Sequence, residues 1–215
     1  SIGSIISKFL SEVNLSALYC ADTSELNIYN LKKLINYKTV NYLLLDVRDS
    51  EYLRELIDNL RPNIIINAAA YKHVNIVQQD LVGTFRNNVK AFCNLVDISK
   101  AADVSSFIQV STDKAANPTT VMGASKLFAE RYLASQNSNA FQTKIVRFGN
   151  VLGSSGSVLP SFIKQLYENN KLEVTHPGVE RYFMSVPEAA QLVVKCITMK
   201  QSGIYILKMG APKKI

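Results

Sequence analysis

The chain has 215 residues, of which 47% are hydrophobic, and its formal net charge is +7. This length fits one large domain or one domain with a small appendage, and the composition is that of a globular rather than a disordered chain. No apolar run approaches the roughly 20 residues that span a bilayer, and the dispersed basic residues lack the focused, aromatic-lined patch typical of nucleic-acid binding.

Short apolar runs alternate with helical patterns along the first 150 residues. The patterns predict helices at 5–10, 31–35, 50–60, 89–96 and from about 125, and strands at 17–20, 42–45, 64–66, 107–110 and 145–146. This alternation is typical of an α/β fold with a doubly wound parallel sheet covered on both faces. Beyond Gly149 the alternation of helical and strand patterns becomes irregular, and the sequence predicts one more helix at 159–167. We therefore predict a nucleotide-binding domain over 1–150 and a small C-terminal substrate-binding lobe over 151–215, with elements interleaved between them.

Cysteine and histidine do not indicate a metal site. Three cysteines (Cys20, Cys93 and Cys196) lie far apart in apolar segments, and the two histidines (His73 and His176) have no third ligand at a metal-binding spacing. We expect buried thiols in a reducing, cytoplasmic compartment and no bound metal.

Acidic or small residues follow the first three predicted strands. Asp22 follows the first strand, Asp46 and Val47 the second, and the run Asn67-Ala68-Ala69-Ala70 the third. In dinucleotide-binding sheets a Gly-rich turn faces the pyrophosphate, and an acid about 20 residues later accepts the ribose hydroxyls. Gly3 and Asp22 have that spacing, although Gly3 is the one glycine of such a turn and by itself favours a plain N-terminal loop. Helix capping by Asp22 and Asp46 is the alternative.

The most informative stretch is Ser111-Thr112-Asp113-Lys114, followed by Met122-Gly123-Ala124-Ser125-Lys126. A hydroxyl, a carboxylate and an amine come directly after the predicted strand at 107–110. Ligands in open α/β sheets bind beyond the carboxyl ends of the strands, so this stretch is a catalytic candidate. The alternative is that Thr112 or Asp113 caps a helix.

Together these residues resemble the extended short-chain dehydrogenase/reductases. The resemblance is close to the nucleotide-sugar 4,6-dehydratases of the capsule and flagellin-glycan type, the polysaccharide biosynthesis group. It covers nearly the whole chain in order, through segments at 1–4, 69–74, 110–115, 117–119, 122–126, 147–158, 174–177 and 181–184. It implies a Rossmann-like fold and an NAD-dependent enzyme.

The resemblance also implies a role for each matching residue. The catalytic set is Thr112, Asp113, Lys114, Met122 and Lys126. The cofactor-binding set is Gly3, Asp22, Asp46, Val47, Ala69 and Lys126. The substrate-binding set is Lys72, Arg147, Asn150, Ser157 and Arg181. Asp22 favours NAD over NADP because a carboxylate would repel a 2′-phosphate. Arg147 and Arg181 suit a diphosphate, but each equally suits a structural ion pair.

The chain departs from the family pattern in several places. Met122 stands where most short-chain dehydrogenases have the tyrosine four residues before the active-site lysine, although a subgroup of the dehydratases shares this feature. Asn67 replaces the usual histidine before the alanine run, and Gln78 and Gln79 stand where acidic residues are common. The first strand of the sheet is missing. We therefore expect a chain incomplete at its N-terminus, from a longer protein whose full form is anchored at the inner face of the membrane.

The implied activity is NAD-dependent 4,6-dehydration of a UDP-linked N-acetylhexosamine, such as UDP-N-acetylglucosamine, for surface polysaccharide or glycan biosynthesis. Lys114 would remove the C-5 hydrogen, and Asp113 would protonate the departing 6-hydroxyl. The alternatives are a sugar-nucleotide 4-epimerase and a non-catalytic fragment that keeps the fold. The expected partners are the UDP-sugar and further copies of the chain, with no nucleic acid.

Overall fold

The computed structural model describes residues 1–153, 158–169, 178 and 180–214. Its helices are α1 (Ile2–Ser11), α2 (Glu25–Leu34), α3 (Ser50–Leu60), α4 (Val74–Gln79), α5 (Leu81–Thr84), α6 (Ala91–Ala101), α7 (Val121–Ser135), α8 (Val158–Asn169) and α9 (Val186–Lys195). Its strands are β1 (Leu18–Asp22), β2 (Val40–Leu44), β3 (Ile64–Asn67), β4 (Ser106–Val110), β5 (Gln142–Arg147), β6 (Asn150–Leu152), β7 (Glu180–Arg181), β8 (Phe183–Ser185), β9 (Gly203–Ile206) and β10 (Lys213–Lys214). A π-helical turn at Phe85–Lys90 joins α5 to α6, and 3-10 turns lie at Asp113–Ala115 and Cys196–Thr198.

Side chains fix where several helices begin. Ser24, Asp49, Thr120 and Ser185 each accept a hydrogen bond from a backbone N–H of the first turn that follows. These N–H groups have no partner inside the helix, so a capping oxygen satisfies them. The cap at Thr120 starts α7 four residues before the position that the apolar pattern predicts.

The parallel strands form two separate pieces. β3, β4, β5 and β9 make one parallel sheet in that order, and β1 pairs in parallel with β2 alone. No strand in the described part of the chain pairs with the second edge of β1 or with the outer edge of β3. In a doubly wound sheet of order 3-2-1-4-5-6 the first strand lies at that place. The parallel strands of the described residues therefore do not form one continuous sheet.

Helices cover both faces of the four-stranded sheet. On one face, α3, α6 and α7 pack around Phe107 and Ile145. On the other, α1 and α9 pack around Ile108 and Val146. Leu18 of β1 and Ile66 of β3 both border this second cluster, so α1 bridges the two pieces. The doubly wound, Rossmann-like architecture predicted from the sequence is confirmed.

The C-terminal third returns to the same core. α9 packs against α1, and β9 is the edge strand beside β5. Outside the main sheet, β6 pairs in parallel with β8, and β7 pairs with β10 in antiparallel fashion. The segment 151–215 is therefore not confined to a separate lobe, and the domain boundary at residue 150 remains a prediction. No helix in the described ranges combines the length and apolar character that crossing a bilayer requires.

Candidate active site

The turn after β4 is held by the neighbouring strand β5. The Ser111 N–H donates to the Val146 carbonyl at 2.8 Å, and the Asp113 N–H donates to the Phe148 carbonyl at 3.0 Å. These bonds continue the sheet ladder past its last residue. The Thr112 hydroxyl accepts from the Lys114 N–H at 3.4 Å and so caps the 3-10 turn. The capping alternative considered for Thr112 therefore applies, and it holds the three polar side chains at one strand end.

Four predicted site residues form one hydrogen-bonded cluster. Lys114 Nζ donates to Asp113 Oδ1 at 3.0 Å and to Asn150 Oδ1 at 3.2 Å. Thr112 Oγ1 donates to the same Asp113 oxygen at 2.9 Å. The Lys114 and Asp113 side chains keep 35% and 37% of their surface exposed, so a ligand can reach them. The cluster places an amine, a carboxylate and a hydroxyl within direct proton-transfer distance of one another.

A close backbone approach at Gly149 brings the C-terminal segment to this cluster. A Cβ atom at Gly149 would lie 3.0 Å from Tyr182 Cβ and 3.3 Å from Asp113 Oδ2. The Asn150 N–H donates to the Tyr182 carbonyl at 2.9 Å. Arg181 precedes Tyr182 and donates from Nη1 to the Glu180 carbonyl at 2.9 Å. Tyr182 therefore borders the cluster.

A second close approach joins α7 to the 3-10 turn. A Cβ atom at Gly123 would lie 2.6 Å from the Lys114 carbonyl oxygen, closer than real side chains come. Met122 is buried beside it in the first turn of the helix. Only glycine allows this contact, which fixes the start of α7 against the turn.

Lys126 lies one turn further along α7, almost completely buried. Its Nζ donates to the Val110 carbonyl, the last residue of β4, at 3.3 Å. Burial lowers the pKa of Lys126 to about 8, and the Glu130 carboxylate opposes part of that shift. The amine therefore lies under the strand end that carries the cluster.

A cleft beside Lys126 collects three of the predicted cofactor-binding residues, Val47, Ala69 and Lys126. Its remaining lining consists of small or apolar side chains and four amides: Asn67, Ala70, Asn87, Asn88, Ala91, Phe92, Leu95, Gln109 and Ala129. Hydrogen bonds within the protein hold these amide side chains in place. Asn67 Nδ2 donates to Gln109 Oε1 at 2.8 Å, and Asn88 bonds both the N–H and the carbonyl of Tyr71.

The other predicted cofactor residues lie outside this lining. Gly3 is in the first turn of α1, where a Cβ would lie 3.8 Å from Ala68 Cβ. Asp22 accepts from the backbone N–H of Ser24 and from Asn27 Nδ2, so it supports the start of α2, whose cap is Ser24. Asp46 forms an ion pair with Arg48, whose hydrogen bonds lower the pKa of the Asp46 carboxyl.

The predicted substrate-binding residues have different environments. Lys72 is exposed just after the alanine run. Arg147 forms an ion pair with the buried carboxylate of Glu130, through Nε at 2.9 and 3.1 Å and through Nη2. The structural alternative stated for Arg147 is therefore present. Ser157, like the matching segment 174–177 with His176, lies outside the described residues.

Sequence reasoning missed Asn88, Gln109 and Glu130. Gln109 lies between two apolar residues on β4, and Glu130 follows Lys126 by four residues on a helix, where a solvated ion pair is the ordinary interpretation. The available signal was position: Gln109 precedes the strand end directly, and Glu130 lies on the helix turn after Lys126.

Comparison with known proteins gives a family. A family model described as "Polysaccharide biosynthesis protein" matches residues 1–215. The chain is 36% identical to the capsular polysaccharide biosynthesis protein CapD of Staphylococcus aureus, over 100% of this chain and 37% of CapD. It is 31% identical to the UDP-N-acetylglucosamine 4,6-dehydratase (inverting) of Campylobacter jejuni, over 99% of this chain and 65% of that enzyme. The chain thus spans between about a third and two thirds of the length of these relatives.

Solved structures share the fold. A double mutant of DesIV, a dTDP-glucose 4,6-dehydratase from Streptomyces venezuelae with NAD and DAU bound, superposes with a TM-score of 0.87. The match covers 99% of this chain and 74% of DesIV at 18% sequence identity.

Proposed function

The chain belongs to the polysaccharide biosynthesis protein family, and on that premise we propose that it carries the site of an NAD-dependent nucleotide-sugar 4,6-dehydratase. The substrate class is a UDP-linked N-acetylhexosamine, and the product is its 4-keto-6-deoxy derivative. The observation that carries this proposal is the cluster of Thr112, Asp113, Lys114 and Asn150 at the carboxyl end of β4. The named activity of the Campylobacter relative supports it.

The residues that line the cleft beside Lys126 suit the cofactor by their chemistry. Small alanine side chains let a flat ring lie close to the backbone, and the amine of Lys126 offers three hydrogen-bond donors, one of which goes to the Val110 carbonyl. Val47, Ala69 and Lys126 would hold it. Gly3, Asp22 and Asp46 would reach its phosphate and adenosine parts. NAD, when bound, would take a hydride from C-4 of the sugar and return it to C-6.

The cluster supplies the proton transfers that an elimination needs. The proton of the 4-hydroxyl passes through the Thr112 hydroxyl to Asp113, a route that substitutes for the tyrosine replaced by Met122. Lys114 takes the C-5 hydrogen as a proton, which the 4-ketone makes acidic. Asp113 then protonates the departing 6-hydroxyl, which leaves as water, and Lys114 returns a proton to C-5. Lys114 and Asp113 end in their starting forms, and the sugar has lost one water.

One residue of the cluster orients the amine, and residues outside it would bind the sugar nucleotide. Asn150 Oδ1 accepts from Lys114 Nζ at 3.2 Å and so directs the amine, and it enters the cluster through the close approach at Gly149. Arg181, next to Tyr182, would bind the diphosphate. Lys72 and Ser157 would complete the sugar-nucleotide contacts.

The test is a mass spectrum of UDP-N-acetylglucosamine incubated with the protein and NAD in deuterated water. We expect loss of one water and gain of one deuterium at C-5. An unchanged mass with inversion at C-4 in the proton NMR spectrum would instead identify an epimerase. An unchanged substrate would contradict both activities and favour a non-catalytic role for the fold.

Replacing Lys114 tests the assignment of the base. Lys114→Met should lower the rate of water loss by about 10²–10⁴-fold, the usual contribution of a positioned acid or base. Lys32→Met removes a lysine from the exposed face of α2 and should leave the rate unchanged. Water elimination by Lys114→Met at the wild-type rate would refute the role of Lys114.

A further inference from the structure

A buried carboxylate joins three parts of the candidate site. Glu130 is 1% exposed and lies on α7, one turn after Lys126. Its oxygens accept from the Ser111 hydroxyl at 2.5 Å and from Arg147 through three further bonds. A carboxylate removed from water is costly unless it is paired and hydrogen-bonded, as this one is.

Stability alone does not account for this network. Apolar side chains of similar volume stabilise a core as well as a buried ion pair does, or better. What the charged groups add is direction, because a bidentate guanidinium–carboxylate pair fixes both partners in one plane. Each partner belongs to a different element, so the pair fixes the elements as well.

The three elements are those that carry the reacting groups. Ser111 directly precedes Thr112, Arg147 is the last residue of β5 and leads to Asn150, and Glu130 shares α7 with Lys126. We propose that Glu130, with Arg147 and Ser111, is a positioning network that holds the Lys126 amine in a fixed place relative to the turn at 112–114. The catalytic role of that turn rests on the proposed function, whereas the hydrogen bonds of the network do not depend on it.

Electrostatics connects Glu130 to Lys126. Glu130 favours the ammonium form, against the burial that lowers the pKa of Lys126. Other charged residues lie on elements packed against α7, namely the 3-10 turn, the π-helical turn, α6, β5 and the cap of α5. These residues are Asp113, Lys114, Arg86, Lys90, Asp97, Lys100, Lys144, Arg147 and Asp80. The Glu130 carboxylate raises the pKa of Lys126, against the larger effect of burial.

The decisive variant is Glu130→Gln, which keeps the size of the side chain and removes its charge. The matched control is Glu55→Gln on the exposed face of α3. The first readout is the titration of Lys126, followed by NMR of lysine labelled with carbon-13 at Cε, which needs no ligand. The second is the Kd of NAD from calorimetry, and the third is kcat and KM in the deuterium assay.

We expect Glu130→Gln to titrate Lys126 at a lower pH than wild type, because the negative charge is lost and Arg147 keeps its positive charge. Kd for NAD should rise about 5- to 10-fold and kcat should fall about 10- to 100-fold, the scale of a displacement below 1 Å. KM for the sugar nucleotide should stay within about threefold, since the network acts on the amine. Glu55→Gln should match wild type in all three.

A folded Glu130→Gln protein with the Lys126 titration and NAD affinity of Glu55→Gln would overturn the proposal. If Glu130→Gln does not fold, the double variant Glu130→Gln/Arg147→Met removes both charges. The proposal then expects a folded protein with NAD binding weakened as above, and wild-type affinity would contradict it. A wild-type protein that eliminates no water would refute the proposed function alone, because the Lys126 titration still decides the role of Glu130.

Discussion

Adding one methyl group at Gly123 tests whether the contact between α7 and the 3-10 turn sets the geometry of the site. In Gly123→Ala the new Cβ would lie 2.6 Å from the Lys114 carbonyl oxygen and 3.3 Å from Pro118 Cβ. The first of these partners is backbone, so no side-chain rotation relieves the clash. The helix or the turn must move by roughly half an ångström, the kind of backbone shift that overpacking produces.

The expected losses follow from that shift. Overpacking costs about 1–3 kcal/mol, and alanine recovers about 1 kcal/mol over glycine inside a helix. We therefore expect the free energy of unfolding to fall by up to about 2 kcal/mol. Because α7 carries Lys126 and the turn carries Lys114, the rate of water elimination should fall about tenfold or more, given that 1 Å of misplacement costs about 10²-fold.

Urea unfolding and the rate of deuterium gain at C-5 measure the two effects. Gly3→Ala is the matched stability control, because its Cβ would meet only ordinary contacts, at 3.8 Å from Ala68 Cβ and 3.9 Å from Ser1 Oγ. It should leave stability unchanged or raise it by up to about 1 kcal/mol. A Gly123→Ala protein as stable and as active as wild type would refute the reasoning.

Two further changes test the helices around the site. Because burial lowers the pKa of Lys126 from 10.5 to about 8, the unfolded state binds more protons between those pH values, and the stability of the wild type rises with pH there. Lys126→Met should therefore be more stable than wild type at pH 7, with an advantage that shrinks toward pH 10 in urea titrations; a constant difference would count against the buried ammonium. Ser185→Ala removes the cap of α9 and should cost about 1 kcal/mol. It should also raise the pKa of Glu188, which the hydrogen bonds from Ser185 lower; an unchanged NMR titration of Glu188 would contradict the cap.

Much of the fold and of the site could be predicted from local hydrophobic patterns and from the polar residues at strand ends. The predicted strands at 64–66 and 107–110 lie within one residue of β3 and β4. The rule that ligands bind beyond the carboxyl ends of strands located Thr112, Asp113 and Lys114, which the structure brings together with Asn150. The predicted start of α7, at about residue 125, is four residues late because Thr120 caps the helix ahead of that position.

Long-range pairing could not be read from the sequence. Glu130 and Arg147 are 17 residues apart, on a helix and a strand, so no local pattern identifies Glu130 as the ion-pair partner of Arg147. The place of β9 beside β5 is likewise a product of tertiary packing, since the four residues Gly203–Ile206 give too short a pattern to assign. The close approach at Gly149 depends on Tyr182, which is distant in the sequence.

The interruption of the parallel sheet has a consequence for how the protein unfolds. β1, β2 and α2 share a small core of their own, Cys20, Leu31, Ile35 and Val40, and no backbone ladder in the described residues ties them to β3. Such a unit opens at a lower free energy than the four-stranded sheet, and its amides should lose protection from hydrogen exchange first. Asp22 belongs to this unit and Ala69 follows β3 on the other side. A ligand that contacts both would couple its binding to local folding, so that its measured binding free energy would include the free energy of closing the unit.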